Sequence, residues 1–290
     1  MESKADNLHI NQKKQIRSFS TDRAELRKLL EVLQERAYAA ADTEEKHLKR
    51  LEGQTDEQFE QAKKDLREGF RLFITVSGTD GRKLTGGIED IFDSPNFPED
   101  VKELFFNSET TLRARYNYYP RNKITLFLDF GRPSVLNFTI LPSQATQNES
   151  NIEVSGSDVT WVNGVFQEFV SYVSGHPSTL PWLHRHTVYD VLVWVLGLPL
   201  SFWVCSKVSD LIEANLSTYS PFLRAALYVY IFLFSLTLLR VAFHYARWIW
   251  PLTEYRGPRN KALKHKAVFA TICSGMGLRI LYDVLKWLIK

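Results

Sequence analysis

The stretch TVYDVLVWVLGLPLSFWVCSK, Thr187 to Lys207, decides how the rest of the sequence is interpreted. Sixteen uncharged residues, 191–206, separate Asp190 from Lys207. As a helix they would extend about 24 Å, somewhat less than the roughly 30 Å of a bilayer core. Uncharged residues before Asp190 add length, and Lys207 can reach the headgroups with its long side chain. Because the stretch is apolar on every side, it is typical of a membrane span rather than a surface helix.

A second apolar run follows Pro221. Fifteen uncharged residues separate Arg224 from Arg240, and the apolar character continues to Phe243. Two such runs joined by a short loop predict a two-helix transmembrane hairpin over residues 187–250. The alternative, two buried helices of a large soluble core, fits this apolar length less well. Six of the seven tryptophans lie beyond residue 180, and several fall near the predicted helix ends, where aromatic belts form.

Charge is divided unevenly along the chain. Residues 181–290 carry 13 Lys and Arg against 5 Asp and Glu, whereas the first 180 residues carry 23 against 28. This asymmetry indicates a mildly acidic soluble domain joined to a basic membrane segment. The first residues show no apolar signal sequence, and basic residues flank the hairpin on the side of its two ends. We therefore expect both termini in the cytosol, with the bacterial inner membrane as the favoured location.

The part before the hairpin has the pattern of an α+β domain. Residues 1–18 are polar, and we expect them to be disordered. Residues 19–175 predict N-terminal helices, a mostly antiparallel sheet and a closing C-terminal helix, followed by a linker at 176–186. Capping boxes at Asp22/Glu25 and Thr55/Gln58 mark the first two helix starts, and Asp158 caps the closing helix.

Strand candidates in this domain were taken from alternation and turn signals. The Asp-Gly pair in TDGR, 79–82, predicts a hairpin turn after the strand-like FRLFITVSG. The remaining candidates are Leu104–Asn107, Thr111–Tyr119, Lys123–Phe130, Val135–Ile140 and the segment NIEVSGSD at 151–158.

One segment of the soluble domain interleaves cations with aromatic rings. LRARYNYYPRNK, 112–123, predicts a weak ligand-binding surface, because such surfaces hold phosphates and stack bases. The alternative is an ordinary solvated hairpin, since alternation alone explains the pattern. The residues that this prediction selects are Arg113, Arg115, Tyr118, Arg121 and Lys123.

Ionisable residues in the predicted membrane part form a second candidate set. Asp190 and Arg240 fall toward the same side of antiparallel spans, where they can pair and fix the hairpin or line a wet path. Beyond the hairpin, residues 258–290 predict an amphipathic C-terminal helix with a polar stripe of Arg279, Asp283 and Lys286. Holding such charges in lipid costs about 2.5–3.5 kcal/mol each. This helix is therefore either an interfacial helix or a third membrane helix whose stripe faces water or other subunits.

Signatures of enzymes and of bound cofactors are weak. The glycine-rich SGTDGRKLTGG lacks the Gly-Lys-Ser/Thr of a phosphate-binding loop, and the histidines do not have zinc-ligand spacing. Cys205 and Cys273 do not form a CxxC pair. We accordingly predict a non-enzymatic chain with no metal and no cofactor.

These features lead to three functional hypotheses. The first is a sensor-effector whose cytosolic domain controls a membrane-perturbing or channel-like helical part, a plan similar to that of small bacterial defence or toxin effectors. Its partners would be the lipid bilayer, further copies of the chain in a homo-oligomer, and a cytosolic protein or a nucleotide or nucleic-acid signal. The second is a membrane-anchored adaptor that recruits a cytosolic partner, a nucleotide or a lipid headgroup. The third is a membrane-bound enzyme.

Overall fold

The computed structural model describes residues 9–135, 142–258 and 262–288. Two compact units form, and each is built from three chain segments. Unit 1 comprises Met1–Gly131, Asn148–Thr179 and Leu252–Asn260, and unit 2 comprises Arg132–Gln147, Leu180–Pro251 and Lys261–Lys290. The sequence places a single linker at 176–186, whereas the folded chain alternates between the units after residues 131, 147, 179, 251 and 260.

Unit 1 is an α+β unit, as the sequence predicts. Its central sheet has six strands in the order β1-β7-β6-β5-β3-β4, and every neighbouring pair is antiparallel. The elements of unit 1 up to the closing helix are, in chain order, β1 (Ile10–Gln15), β2 (Phe19–Thr21), α1 (Arg23–His47), α2 (Asp56–Gly69), β3 (Ile74–Gly78), β4 (Lys83–Gly86), α3 (Ile88–Phe92), β5 (Val101–Asn107), α4 (Thr110–Tyr116), β6 (Lys123–Asp129), β7 (Asn151–Gly156) and α5 (Val159–Gly175).

The core of unit 1 forms where one face of the sheet packs against the apolar faces of helices. Apolar residues recur every second position in the strands and about every 3.6 positions in the helices. In β6 every second side chain, Ile124, Leu126 and Leu128, is buried. The leucines that repeat along α1 and the apolar face of α5 are buried in the same cluster. The opposite face of the sheet is largely polar, although Phe105 and Phe73 are exposed on it. Unit 1 thus has one buried face, as expected of an antiparallel sheet.

Several local predictions for unit 1 are confirmed. Asp22 and Glu25 form a capping box at the start of α1. Thr55 and Gln58 form another at the start of α2. The Asp-Gly turn joins β3 to β4 with Gly81 at φ +84°, a left-handed conformation that favours glycine. These elements are specified by neighbours in sequence.

Two predictions for unit 1 are wrong, and one lies outside the described residues. Residues 10–15 form strand β1 at a sheet edge, where disorder was expected, because they gain backbone hydrogen bonds from β7. Residues 110–116, predicted as part of strand 111–119, form helix α4, which ends with Asn117 in the left-handed conformation. The predicted strand 135–140 falls mostly on residues 136–141, which are not described.

A second, two-stranded sheet also belongs to unit 1. Strand β8 (Thr253–Tyr255) pairs with β2 in parallel, with Phe19 opposite Thr253 and Thr21 opposite Tyr255. Thr253 and Tyr255 are buried. Arg256 forms an ion pair with Glu25 of α1, with 2.5 Å between nitrogen and oxygen. The segment after the second apolar run is therefore part of the folded core of unit 1.

Unit 2 contains the two apolar runs as helices. A 3-10 turn (Pro181–His184) precedes α6 (Val188–Leu192), a π-helical turn (Val193–Gly197) and α7 (Leu198–Leu216), which continue one another as a first long helix. The second long helix is α8 (Pro221–Ile249), and α9 (Ala262–Leu288) follows β8. In the described chain, the two long helices are long and apolar enough to cross a membrane.

The two long helices pack along their length. Gly197 lies so close to α8 that an added Cβ would be 2.7 Å from Leu239. Further along, the rings of Phe202 and Phe232 are 5.0 Å apart. Most of their apolar side chains point outward, since only 11% and 6% of the most apolar windows are buried. The pair is therefore an apolar hairpin with most of its apolar side chains exposed.

Candidate functional site

The basic and aromatic residues singled out in the sequence lie on α4, on the loop after it and on β6. Arg113, Arg115 and Arg121 are exposed, and Tyr118 and Lys123 are partly buried. The Arg113 guanidinium lies 5.1 Å from the centre of the Tyr119 ring, and Tyr119 is itself exposed. Three of the five selected side chains are thus exposed, two of them on helix α4 rather than on a strand, and the ligand-binding surface stays a prediction.

The carboxylates of Glu44 and Glu109 bind residues of this basic segment. Glu44 of α1 is 1% exposed. It accepts hydrogen bonds from the Tyr118 hydroxyl, at 2.6 Å, and from the Arg121 backbone N–H. Burial, followed by the hydrogen bond to Glu44, raises the pKa of Tyr118 above its ordinary value, so that this hydroxyl acts as a donor at neutral pH.

Glu109 is the second carboxylate. Its two oxygens lie 3.2 Å from Arg113 and 3.4 Å from Lys123. Arg113 and Lys123 are therefore partly neutralised, whereas within the described residues no ion pair includes Arg115 or Arg121. These two exposed arginines, with the exposed rings of Tyr116 and Tyr119 close by in sequence, are the part of the predicted surface that these carboxylates do not neutralise.

A separate groove of unit 1 holds none of these residues. It has a volume of about 430 Å³ and lies between the end of β1 and the C-terminal half of α5. Ile16 and Phe169 form its buried floor. Lys14 and Arg17, which are exposed, contribute charge.

The most connected polar group in unit 2 lies where the two long helices begin and end. We call Ser143, Gln144, Thr146, His184 and Arg247 the junction cluster. Arg247, in the last turn of α8, is 2% exposed. Its guanidinium donates to three backbone carbonyls, those of Leu183 (3.0 Å), Gln144 (3.1 Å) and Arg185 (3.4 Å). One side chain therefore holds three separate backbone positions together.

His184 completes the junction cluster and is also 2% exposed. Its Nε2 lies 2.5 Å from the Trp250 carbonyl and its Nδ1 lies 2.8 Å from the Thr146 hydroxyl. Because a carbonyl can only accept, Nε2 carries the proton, and Nδ1 accepts from Thr146. Burial lowers the pKa of His184 to about 4, which keeps the ring neutral at physiological pH.

The predicted membrane polar positions fall into two places in unit 2. Asp190 accepts a hydrogen bond from the Ser143 hydroxyl at 2.6 Å, next to the junction cluster. Arg240 lies on α8, within the second long helix. Tyr189, which precedes Asp190, has its ring 5.2 Å from that of Phe243 on α8. The pairing of Asp190 with Arg240 stays a prediction.

The polar stripe of α9 is directed partly toward another helix. Asp283 lies 3.1 Å from the Nζ of Lys207 on α7 and 3.9 Å from the Nε of Arg279. Arg279 and Lys286 are exposed. The sequence analysis selected Asp283 but not its partner Lys207, which was treated only as the end of the first apolar run.

Metal chemistry finds no support in the described ranges. Within residues 9–135, 142–258 and 262–288, no group of three or more His, Cys, Asp or Glu side chains could hold a metal ion. Cys205 and Cys273 are both free thiols.

Sequence reasoning missed Glu44 and Arg247 as buried polar centres. Glu44 was visible only as a charge that interrupts the apolar repeat of α1. Arg247 looked like an ordinary basic flank of a span. A charge placed on an otherwise apolar helix face was the one available signal for both.

Comparisons with known proteins add no functional information. No family model, curated protein or solved structure matches this chain.

Proposed function

We propose that the chain is an integral membrane sensor-effector. In this proposal both long helices cross the bilayer from the cytosolic side, and unit 1 controls the state of the helical unit. The outward apolar surface of the two helices supports membrane insertion. In a bacterial cell the inner membrane is the matching location, and a role in defence or as a toxin remains part of the proposal.

The chain passes several times between unit 1 and unit 2. This is the observation that supports control of the helical unit by unit 1 rather than simple anchoring. A tether needs one chain connection between a soluble domain and its membrane helix. Here residues 132–147 leave the sheet between β6 and β7, join unit 2 and return. The second long helix likewise runs into β8, which is a buried strand of unit 1. A rearrangement of β6, β7 or β8 would therefore pull directly on segments of the helical unit.

The junction cluster lies within unit 2 and holds the segment between β6 and β7 to the start of the first long helix. Ser143 and Thr146 of that segment bond to Asp190 and His184, which also belong to unit 2. The backbone repeats these contacts, since Thr187 N–H donates to the Ser143 carbonyl at 2.8 Å. Bonds of this kind have two discrete states, made or broken, which suits a switch.

Uncoupling the junction without changing charge tests the proposal. The variant Ser143→Ala with Thr146→Val removes the side-chain bonds to Asp190 and His184. Its matched control, Thr237→Val with Thr271→Val, removes only bonds to carbonyls four residues earlier in the same helix. Both would be reconstituted in vesicles of phosphatidylethanolamine and phosphatidylglycerol that contain a fluorescent dye.

We expect the full chain to release dye, the junction variant to change the rate, and the control to leave it unchanged. If the full chain releases no dye at any protein-to-lipid ratio, the effector role is wrong. If junction and control variants behave alike, the coupling is wrong. Truncation after Ala262 should keep β8 and membrane binding but abolish release; undiminished release would remove α9 from the effector part.

The adaptor role is the second candidate, and the exposed Arg115 and Arg121 favour it. Binding of single-stranded RNA or of a nucleoside triphosphate would be measured for Arg115→Ala with Arg121→Ala. The control would be Lys28→Ala with Lys64→Ala, two exposed cations elsewhere in unit 1. Selective loss of binding in the arginine variant supports the adaptor; equal loss in both indicates only unspecific attraction.

A further inference from the structure

The contacts of α9 with the two long helices indicate how many helices would cross the membrane. This inference rests on the proposed function, because it takes the two long helices as membrane spans. We use "near end" for the end of unit 2 where His184 meets Trp250, and "far end" for the turn at 217–220. The question is whether α9 stays at the near end, as an interfacial helix would, or reaches the far end.

The first part of α9 contacts the near end. The Tyr245 hydroxyl and the His265 Nδ1 are 2.7 Å apart. The ring of Phe269 lies 5.6 Å from that of Trp250 and 5.9 Å from that of Tyr245. Both Tyr245 and Trp250 belong to the last turns of the second long helix or directly follow it. The beginning of α9 is therefore fixed at the level where α8 ends.

The last part of α9 contacts α7 much farther along. Asp283 pairs with Lys207, and its side chain is 14% exposed. The level of Lys207 is set by its neighbour Cys205, whose thiol lies 3.7 Å from the Tyr228 carbonyl in the first third of α8. Lys207 is thus far from the near end on both long helices.

The length between these two contacts matches a bilayer. His265 and Asp283 are eighteen positions apart on one helix, which corresponds to about 27 Å. Val188 and Lys207, on the first long helix, are about 28 Å apart by the same measure. A bilayer core is about 30 Å thick. Helix α9 therefore runs alongside the hairpin for the full thickness rather than across its base.

The orientation of its side chains agrees with this placement. A helix in the interface plane turns its polar stripe to water and buries its apolar stripe. In α9 the apolar stripe is not buried, because Leu278, Leu281 and Leu285 are exposed. Of the polar stripe, Asp283 faces α7, while Arg279 and Lys286 are exposed. Exposed leucines with an inward carboxylate are what a lipid-facing span shows.

We infer that α9 is a third membrane span, clamped to the hairpin by the Lys207–Asp283 ion pair, and that it places the C-terminus on the same side as the 217–220 turn. In this inference the C-terminus lies on the side opposite the cytosol, whereas the sequence predicts both termini in the cytosol.

Cysteine labelling of the full chain in intact and permeabilised cells tests the inference. In a background with Cys205→Ser and Cys273→Ser, single cysteines would be placed at Lys64, at Ser217 or after Lys290. We expect the appended cysteine to label from the same side as Ser217→Cys and opposite to Lys64→Cys. If it labels with Lys64→Cys while Ser217→Cys stays opposite, the third span is wrong and the hairpin stands. If all three label from one side, the hairpin and the proposed function fail together.

The ion-pair clamp has its own test. The measured quantity is the ratio of molecules whose appended cysteine labels from the Ser217 side to those in which it labels from the Lys64 side. Lys207→Glu should shift this ratio roughly three- to thirtyfold. Lys207→Glu combined with Asp283→Lys should restore it, and Asp210→Lys, a charge change on the same exposed turn of α7, should not move it. An unchanged ratio in Lys207→Glu, or no recovery in the charge-reversed pair, would overturn the clamp.

Discussion

Units 1 and 2 expose opposite kinds of surface. In unit 1 the apolar side chains of α1, α5 and the six-stranded sheet meet in one large buried cluster. Among the described residues of unit 2, the buried apolar cluster consists of Leu183, Phe243 and Ala246, while most apolar side chains of the long helices point outward. Water drives the assembly of the first kind of core. In the proposed lipid environment of unit 2 that driving force would be absent, and packing and polar contacts would hold its helices together.

Each unit nevertheless contains a buried charged side chain whose hydrogen-bond partners are neutral, Glu44 in unit 1 and Arg247 in unit 2. Glu44 accepts from a hydroxyl and a backbone N–H. Arg247 donates to three carbonyls. In unit 1 the hydrogen bonds of Glu44 supplement a large hydrophobic core, whereas in unit 2 the hydrogen bonds of Arg247 accompany only a small buried apolar cluster. Loss of the buried group should therefore matter more in unit 2.

The largest effect is expected for Arg247→Met. This change removes the Arg247 donors from one buried carbonyl and two partly buried ones, and we expect a loss of roughly 3 kcal/mol in the stability of the helical unit. Unfolding in mixed micelles, followed by cysteine accessibility at the ends of the long helices, would measure it. Arg256→Met, which removes the ion pairs of Arg256 with Glu25 and Asp22 at the surface of unit 1, should cost no more than about 1 kcal/mol. Equal losses would contradict the comparison.

A smaller loss is expected for Glu44→Leu. Tyr118 and the Arg121 N–H would lose their acceptor, at a cost of about 2 kcal/mol, but the hydrophobic core of unit 1 would persist. Glu44→Gln keeps one acceptor and should lose about half as much. Hydrogen exchange of the β6 amides would report the difference. Glu35→Leu, an exposed carboxylate on the same helix, should leave exchange unchanged.

Acid should weaken unit 2 through His184. Its folded pKa of about 4 lies below the ordinary value of 6.5, so between these values the unfolded state binds more protons. Stability contributed by the neutral ring is therefore complete above about pH 6.5 and falls by at most about 1.4 kcal/mol per pH unit as the pH drops toward 4. His184→Gln should flatten the pH dependence of unfolding in micelles, and exposed His47→Gln should not. Parallel curves for the native chain and His184→Gln would rule this out.

The smallest effects distinguish two helical glycines. Gly164 in α5 has open space where a Cβ would lie, so Gly164→Ala should stabilise unit 1 by about 0.5–1 kcal/mol. Gly197 in unit 2 would place the same methyl 2.7 Å from Leu239. Gly197→Ala should therefore gain nothing or lose up to about 1 kcal/mol. Thermal unfolding of both variants checks the contrast, which fails if the gains are alike.

The elements that sequence could predict are those determined by near neighbours. Capping boxes, the Asp-Gly turn and the alternation in β6 each act within a few residues. The prediction of a strand at 111–119 was wrong because the alternation of basic and aromatic residues in this segment is also compatible with a short helix. In α4 only Leu112 is buried, and Arg113 pairs with Glu109 at the i,i+4 spacing. The period alone could not distinguish these cases.

The candidate site was less accessible to prediction for a physical reason. Arg247 is recognised by carbonyl groups at residues 144, 183 and 185, and every residue carries a carbonyl. The junction cluster therefore cannot be predicted from a pattern of side chains in the sequence. Strands β1 and β8 were missed similarly, since their partners lie far away in sequence. Lys207 and Asp283 were both visible as charges, but their meeting depends on how α9 packs.

The pairing of β2 with β8 also sets an order of assembly during synthesis. Strand β2 leaves the ribosome near the beginning of translation, but its partner β8 emerges only after both long helices. Until then Phe19 and Thr21 lack the neighbour that covers their edge. Under the proposed membrane insertion, a nascent chain whose helices failed to insert would present an unfinished unit 1 to proteases. Completion of unit 1 would then depend on synthesis of both long helices.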